Sequence, residues 1–219
     1  MRIISEEARL FLRKFLSNPK QIGSVIPSSK FLADSMVAPI AWHSVQAVAE
    51  LGSGTGAITK AIFRNALPGT KVYLFEKDLK MRKRLMRNYP DFNCAANAVN
   101  LSRILDQGNV PKLDCILSCL PFYNFPQPLR DTLMSQIIAS LKPGGLFVAF
   151  QYSMQMKKQM SDWFRIERIK FVPLNFPPAF VYVCRKEVEE RAVRHAASLR
   201  IQADGIRMLS RTNESLELR

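Results

Sequence analysis

The feature that most restricts how this chain can fold is a strand that runs straight into glycines. Residues 45–51, VQAVAEL, lead into Gly52-Ser53-Gly54-Thr55-Gly56, and a helical pattern follows through Lys60 and Asn65. Glycine tolerates the sharp backbone turn required there and lets N–H groups approach a ligand closely. Twenty residues past Gly56, Glu76 ends the next strand, KVYLFE. A carboxylate in that place accepts both hydroxyl protons of a ribose. Strand, glycine loop, helix, strand and acid in this order predict an alternating α/β fold with a nucleotide-type ligand at the strand ends.

The rest of the central portion keeps the alternation. A basic helix is expected near 78–88, a weak strand at 92–96 (FNCAA) and a continuous apolar strand at 114–120 (DCILSCL), as in a buried parallel sheet. A helix at 128–141 stops at Lys142-Pro143-Gly144-Gly145, a terminator that feeds the strand LFVAF at 146–150. RIERIKFV and PAFVYVC, joined through the proline-rich LNFPP, read as an antiparallel closing pair. The expected architecture is a mostly parallel seven-stranded sheet with helices on both faces.

Composition sets limits on partners and compartment. The 219 residues suffice for one good core and a short appendage. No uncharged stretch exceeds about 15 residues, and the longest contain prolines or polar side chains, so no membrane-spanning helix is expected. The N-terminus is charged throughout and does not read as a secretory signal. Cys94, Cys115, Cys119 and Cys184 show no CxxC spacing, and the histidines are only His43 and His195. They read as reduced core residues of a cytosolic protein, without a metal. Lys and Arg number 32 against 18 Asp and Glu, a net of +14, which favours an anionic partner: nucleic acid or a membrane surface.

Two helical segments flank the core. Ile4, Ala8, Phe11, Leu12 and Phe15 share one face, with Glu6, Arg9, Arg13 and Lys14 elsewhere. Val188, Ala192, Ala196, Leu199, Ala203 and Ile206 form a weaker stripe among basic residues. Either packs on the domain or lies as a basic amphipathic helix in a membrane interface. The expected division is an amphipathic helix and lead-in at 1–27, a catalytic domain at 28–185 and a basic helical tail at 186–219.

Gly52-Ser53-Gly54-Thr55-Gly56-Ala57 also satisfies the GxGxxA dinucleotide pattern. Glu50, two residues before the first glycine, separates the readings. Glu50-Leu51-Gly52-Ser53-Gly54-Thr55-Gly56 resembles the first motif of the Rossmann-like class I S-adenosylmethionine-dependent methyltransferases. The resemblance implies that the acid orders the loop and interacts near the methionine amino group of the cofactor. It assigns Glu50, Gly52, Ser53, Gly54, Gly56, Glu76, Lys77, Asn97, Ala98 and Ser118 to the cofactor. Asn97 stands where many relatives have Asp on the adenine amino group; an Asn carbonyl accepts the same bond, or Asn97 is an ordinary turn residue.

Three further segments narrow the resemblance. Residues 18–29, ending Pro27-Ser28-Ser29, the run CILSCLPFYNFP at 115–126 and FVAFQY at 147–152 look like bacterial phospholipid N-methyltransferases. The likeness spans roughly residues 8–185. That family is related to ribosomal RNA adenine dimethylases, where Asn stands in place of Ser118, so RNA adenine methylation is the rival reading and a non-catalytic lipid-binding or membrane-remodelling module the third. The leading expectation is methylation of the phosphatidylethanolamine amine, towards phosphatidylcholine, by an enzyme held peripherally at the inner face of the cell membrane. An amine needs a free lone pair to attack in line. Ser118, the Leu120 carbonyl held by Pro121, Tyr123 and Tyr152 are the expected catalytic groups. Phe122, Tyr123 and Tyr152 are expected to face a methylated cation, or else to pack in the core. Ser28, Ser29 and Lys30 open a helix that contacts the cofactor's carboxylate or a lipid phosphate, with the alternative that a serine is simply the N-cap. Ile4, Phe11, Leu12, Arg13, Lys14 and Phe15 are the expected membrane contact, with the run Lys77 to Arg87 as a second one or a solvated helix face.

Overall fold

A computed structural model describes residues 28–187. The expected helices at the two ends of the chain, and with them Ile4, Phe11, Leu12, Arg13, Lys14 and Phe15, lie outside the described residues. Chain order is α1 (Lys30–Val37), β1 (Ala47–Leu51), α2 (Ala57–Asn65), β2 (Lys71–Phe75), α3 (Leu79–Asn88), β3 (Asn93–Ala95) and α4 (Leu101–Gln107). It continues with β4 (Leu113–Ser118), α5 (Gln127–Ser140), β5 (Leu141–Gln151), α6 (Lys157–Trp163), β6 (Arg165–Val172) and β7 (Ala179–Arg185). The strands form one seven-stranded sheet in the order β3-β2-β1-β4-β5-β7-β6.

The first five strands are parallel, and β7 and β6 close the sheet antiparallel. The apolar runs explain this: β1 is buried at every position, as a central parallel strand covered on both faces must be. Alternate residues feed two cores. Val48, Leu74, Leu117, Val148 and Val181 meet Leu32 and Met36 of α1, Ile58 and Ile62 of α2 and Leu85 of α3. On the other face Ala49, Phe75, Ile116, Phe147 and Tyr182 meet Leu101 of α4, Met134 and Ile137 of α5 and Met160 of α6.

Register aligns Leu51 with Phe75 and Ser118, Phe75 with Ala95, and Ser118 with Ala149. These residues form one level at the carboxyl edge of the sheet. The order reverses between β1 and β4, the crevice where open α/β sheets bind ligands.

At the opposite edge Asp114 ties three segments. Its Oδ2 accepts from Gln46 N (2.8 Å) and Ala47 N (2.9 Å), and Lys142 donates to its Oδ1. Partial burial pushes its carboxyl up, but the Lys142 ammonium and the two N–H groups outweigh that and hold it below the ordinary value. Asp114→Ala is expected to cost about 2 kcal/mol, because three charge-assisted bonds, one of them to the buried Ala47 N–H, are lost together. Because the folded-state value is lowered, the contribution of Asp114 is present at neutral pH and fades as pH falls through the acid range. Urea unfolding of the two proteins at neutral and acid pH measures both effects.

Candidate active site

The glycine loop is pinned to the strand beside it. Gly52 N and Ser53 N both donate to the Phe75 carbonyl at the end of β2, at 2.8 and 3.1 Å. Gly52, Gly54 and Gly56 have φ of 80°, 53° and 87°, the left-handed region that favours glycine. Their surroundings differ. A Cβ on Gly52 would meet Leu120 Cδ2 at 3.0 Å, whereas a Cβ on Gly54 would meet nothing within 4 Å. The open side of Gly54 is where a ligand can lie against bare backbone.

Glu76 faces this loop from the end of β2. Its Oε2 accepts from Gly54 N at 2.7 Å and its Oε1 from Asp78 N at 2.8 Å. Each carboxylate oxygen has a second lone pair, so both remain available to a diol. Arg82 Nη1 holds the Glu76 carbonyl at 2.7 Å, and Asp78 caps α3 through Met81 N at 2.8 Å. Lys77 between them is exposed. Across the crevice Asn97 is exposed and its Oδ1 accepts from Val99 N at 3.2 Å, while Ala98 is buried. The turn role weighed in the sequence is therefore filled by the side chain of Asn97.

Beneath the loop lies Glu50, wholly buried. Thr59 Oγ1 donates to its Oε2 at 2.6 Å, while Glu50 Oε1 and the neighbouring Ser53 Oγ have no hydrogen-bond partner. Burial pushes the carboxyl up to about 7, against the lowering effect of the Thr59 hydroxyl and the nearby Ser53, and the Glu76 charge adds to the rise. Unpaired buried oxygens are costly. Their presence under an open backbone strip suits a ligand bearing an ammonium group, such as the methionine end of S-adenosylmethionine, with the ribose at Glu76.

The third wall is the segment after β4. Ser118 is fully buried and its Oγ accepts from Leu120 N at 3.2 Å, while Cys119 N donates to the Leu51 carbonyl at 2.8 Å. The Leu120 carbonyl differs from expectation: it already accepts from Phe122 N at 2.9 Å and from Gln151 Nε2 at 2.9 Å. Both lone pairs are engaged, so this oxygen braces the turn and is not open to an amine. Phe122 also departs from a substrate-facing role. It is fully buried, with ring centroids 6.3 Å from both Phe125 and Phe147. Tyr123 points the other way and is 48% exposed, and Pro121 is exposed beside it.

Tyr152 is partly buried, its ring edge-on to Phe150 at 5.5 Å. Burial, with the nearby Cys119 adding to it, pushes the phenol up to about 12. The Cys119 thiol is pushed well up by burial and by the carboxylates of Glu50 and Glu76. Both stay neutral at physiological pH, so neither is a thiolate nucleophile nor a phenolate base. Ser29 is the N-cap of α1, accepting from Leu32 N at 3.2 Å, with Ser28 partly buried and Lys30 exposed. Among the described residues no group of His, Cys, Asp and Glu could hold a metal.

Sequence reading missed three residues. Thr59 lies nine residues past Glu50 and so returns to it only through the loop. Gln151 is the polar end of an otherwise apolar strand, and that contrast was the available signal. Asn175 is buried in the β6–β7 turn, where its Oδ1 accepts from Ser29 N at 2.9 Å. That link spans most of the chain and left no local mark.

No family model matches the chain. It is 33% identical over 184 residues to the ornithine lipid N-methyltransferase of Singulisphaera acidiphila, covering 80% of this chain and 94% of that protein. The chain belongs to that family. It is a class I S-adenosylmethionine-dependent methyltransferase. Solved methyltransferases share the fold at low identity. The N-methyltransferase NodS of Bradyrhizobium japonicum WM9 matches with a TM-score of 0.56 at 13% identity, over 84% of this chain and 96% of that one. The Burkholderia thailandensis 1,6-didemethyltoxoflavin-N1-methyltransferase, solved with its substrate and S-adenosylhomocysteine, matches at 0.58 and 14%, over 86% and 92%. The fold of this methyltransferase is thus the one that the motif at residues 50–56 led us to expect.

Proposed function

We propose that this methyltransferase acts on the primary amine of a membrane lipid headgroup. The likeness along nearly the whole length of the Singulisphaera acidiphila protein, whose substrate is ornithine lipid, carries the reading. Ornithine lipid is thus the first substrate to test. Phosphatidylethanolamine is the second, favoured by the resemblance of residues 18–29 and 115–126. Both present an amine on a short arm near an anionic group.

S-adenosylmethionine supplies an electrophilic methyl on a sulfonium; the amine lone pair forms the N–C bond, and the C–S electrons return to sulfur. The residues' share is placement and deprotonation. Glu50 and Ser53 hold the amino-acid end of the cofactor, Glu76 its ribose, and Asn97 with Ala98 the adenine edge; Lys77 borders the ribose. Ser118 shapes the wall nearest the reacting methyl. With the Leu120 carbonyl occupied, the hydroxyl oxygens of Ser118, Tyr123 and Tyr152 are the acceptors proposed for the amine; a hydroxyl oxygen has two lone pairs and does not need to be ionised to accept. The ammonium loses its proton to water, aided by the sulfonium charge beside it. Ser28, Ser29 and Lys30 meet the anionic group of the headgroup. Pro121 sets the direction of the turn that carries Tyr123.

Gln151 acts through Leu120 as a positioning residue. Gln151→Leu is expected to lower kcat about tenfold while the cofactor Kd holds, since a slight misplacement of the acceptor turn is costly in rate. Steady-state kinetics and calorimetry together read the split.

Among the described residues no helix is long and apolar enough to cross a membrane, and the net charge of +14 suits an anionic surface. The proposed place of work is the inner face of the cell membrane, with the enzyme held peripherally. Labelled cofactor offered with ornithine lipid vesicles, phosphatidylethanolamine vesicles and unmethylated ribosomal RNA tests the reading. Label entering either lipid supports it. Label in RNA alone, or vesicle deformation without transfer, rejects it.

A further inference from the structure

Because β7 descends from the level of Gln151, paired with Phe180, the β6–β7 turn lies at the carboxyl edge of the sheet, the same end as the cofactor loop. The apolar residues there are conspicuously outside. Leu174 is 61% exposed, Phe176 54% and, at the start of α1, Phe31 56%. The turn holds them in place through a buried anchor. Asn175, only 6% exposed, accepts from Ser29 N with its Oδ1 and donates from Nδ2 to the Pro177 carbonyl at 2.7 Å. The turn is thereby fastened to the first residues of α1, with Leu174 and Phe176 on either side of the fastening. Phe171, 51% exposed and 5.0 Å from Phe180 across the strands, lies at the same end of the sheet but on the face opposite α1.

Scattered exposed hydrophobics are ordinary on a protein surface, but a cluster rimmed mainly by lysines is not. Lys30 and Lys170 are exposed within a few residues of the patch, and Lys157 and Lys158 open α6 at the same end of the sheet. One acid lies close by, Asp34, three residues past Phe31 on the same exposed face of α1, and the other acids of the neighbouring elements lie further off. Asp162 stands at the far end of α6, and Glu167 is bound to Arg165 and Arg185 at the opposite edge.

We infer that this corner, Leu174 and Phe31 above all, is the surface that docks onto an anionic lipid bilayer and turns the mouth of the cofactor cleft towards the headgroups. It rests on the lipid reading above for the identity of the surface it meets. Apolar side chains enter the boundary between headgroups and acyl chains while the surrounding lysines stay among the anionic headgroups, the arrangement that gives reversible interfacial binding. A diacyl lipid scarcely leaves its membrane, so the site that methylates it must sit near that plane.

Full-length protein is sedimented with vesicles of phosphatidylethanolamine and phosphatidylglycerol, and compared with Phe31→Ser/Leu174→Ser and with Leu174→Trp. The double variant is expected to partition about tenfold less, and Leu174→Trp at least as well as the parent, because tryptophan favours the interface. Cofactor affinity and transfer to detergent-dispersed lipid stay at the parental level in both. Parental partitioning of the double variant overturns the docking surface, whatever else then covers the corner: a second copy of the chain or its own terminal residues. Failure of the parent to bind vesicles overturns it too. Vesicle binding that depends on Leu174 in a protein that methylates neither lipid upholds the surface and sinks only the substrate.

Discussion

Replacing Glu76 with alanine is expected to weaken cofactor binding roughly a hundredfold, since hydrogen bonds to a charged acceptor are the strong ones and two are lost at once. The ribose loses its carboxylate, and the loop loses its tether. In the ligand-free protein that carboxylate joins Gly54 N at 2.7 Å to Asp78 N at 2.8 Å. Both N–H groups must then find water, and the glycine backbone becomes less ordered before any ligand arrives. Glu76→Gln separates the contributions, because an amide oxygen still accepts while the charge and the second acceptor are gone. It should fall between the parent and alanine. Calorimetric titration with S-adenosylhomocysteine measures all three proteins, and unchanged affinity of Glu76→Ala would place the ribose elsewhere.

Glu50 should make the protein's stability and its cofactor affinity respond to pH in opposite directions. Burial raises its carboxyl from the ordinary value of 4.5 to about 7. The folded state therefore binds this proton more tightly than the unfolded chain does. Its favourable contribution is complete below the unfolded value and disappears as pH climbs towards 7. At about 1.4 kcal/mol for each pKa step, the loss amounts to about 3 kcal/mol by pH 8. Glu50→Gln should flatten that decline and stabilise the ligand-free protein in alkaline buffer. The cofactor's ammonium pulls the other way, since a cation beside the unpaired Oε1 favours the carboxylate. Binding near neutral pH should then release a proton, and affinity should rise from pH 5.5 to 8. Titrations in two buffers of different ionisation enthalpy detect the proton, and Glu50→Gln should show neither release nor pH dependence.

The parallel half of the sheet was legible because β1, β2, β4 and the end of β5 are apolar runs between a helix and a turn, with β3 only a weak one, and the β6–β7 pair because its prolines break the pattern. The helices α4 and α6 escaped notice. Each has seven residues, too short for helical periodicity to stand out. Lys142-Pro143-Gly144-Gly145 reads as a terminator, and α5 does stop before it, at Ser140, but the segment joins β5. Gly144 N donates to the Lys186 carbonyl at 3.0 Å and Lys186 N to that of Gly145 at 2.9 Å, so a distant strand end supplies what local chemistry would not. The site shows the same division. Glu50, Glu76 and the glycines announce themselves by spacing. Whether Phe122 or Tyr123 turns inward, and whether the Leu120 carbonyl is free, depends on Phe147 and Gln151, which no local pattern connects to them.

The strand order has a consequence for synthesis. β7 is made last among the described strands yet sits between β5 and β6. A nascent chain halted in the turn at 173–178 has β6 with no place in the sheet and β5 as a raw edge, open to pairing with any neighbour. Emergence of the seventh strand from the ribosome is thus the step that completes the sheet, and truncation before Arg185 should yield aggregates rather than a smaller enzyme.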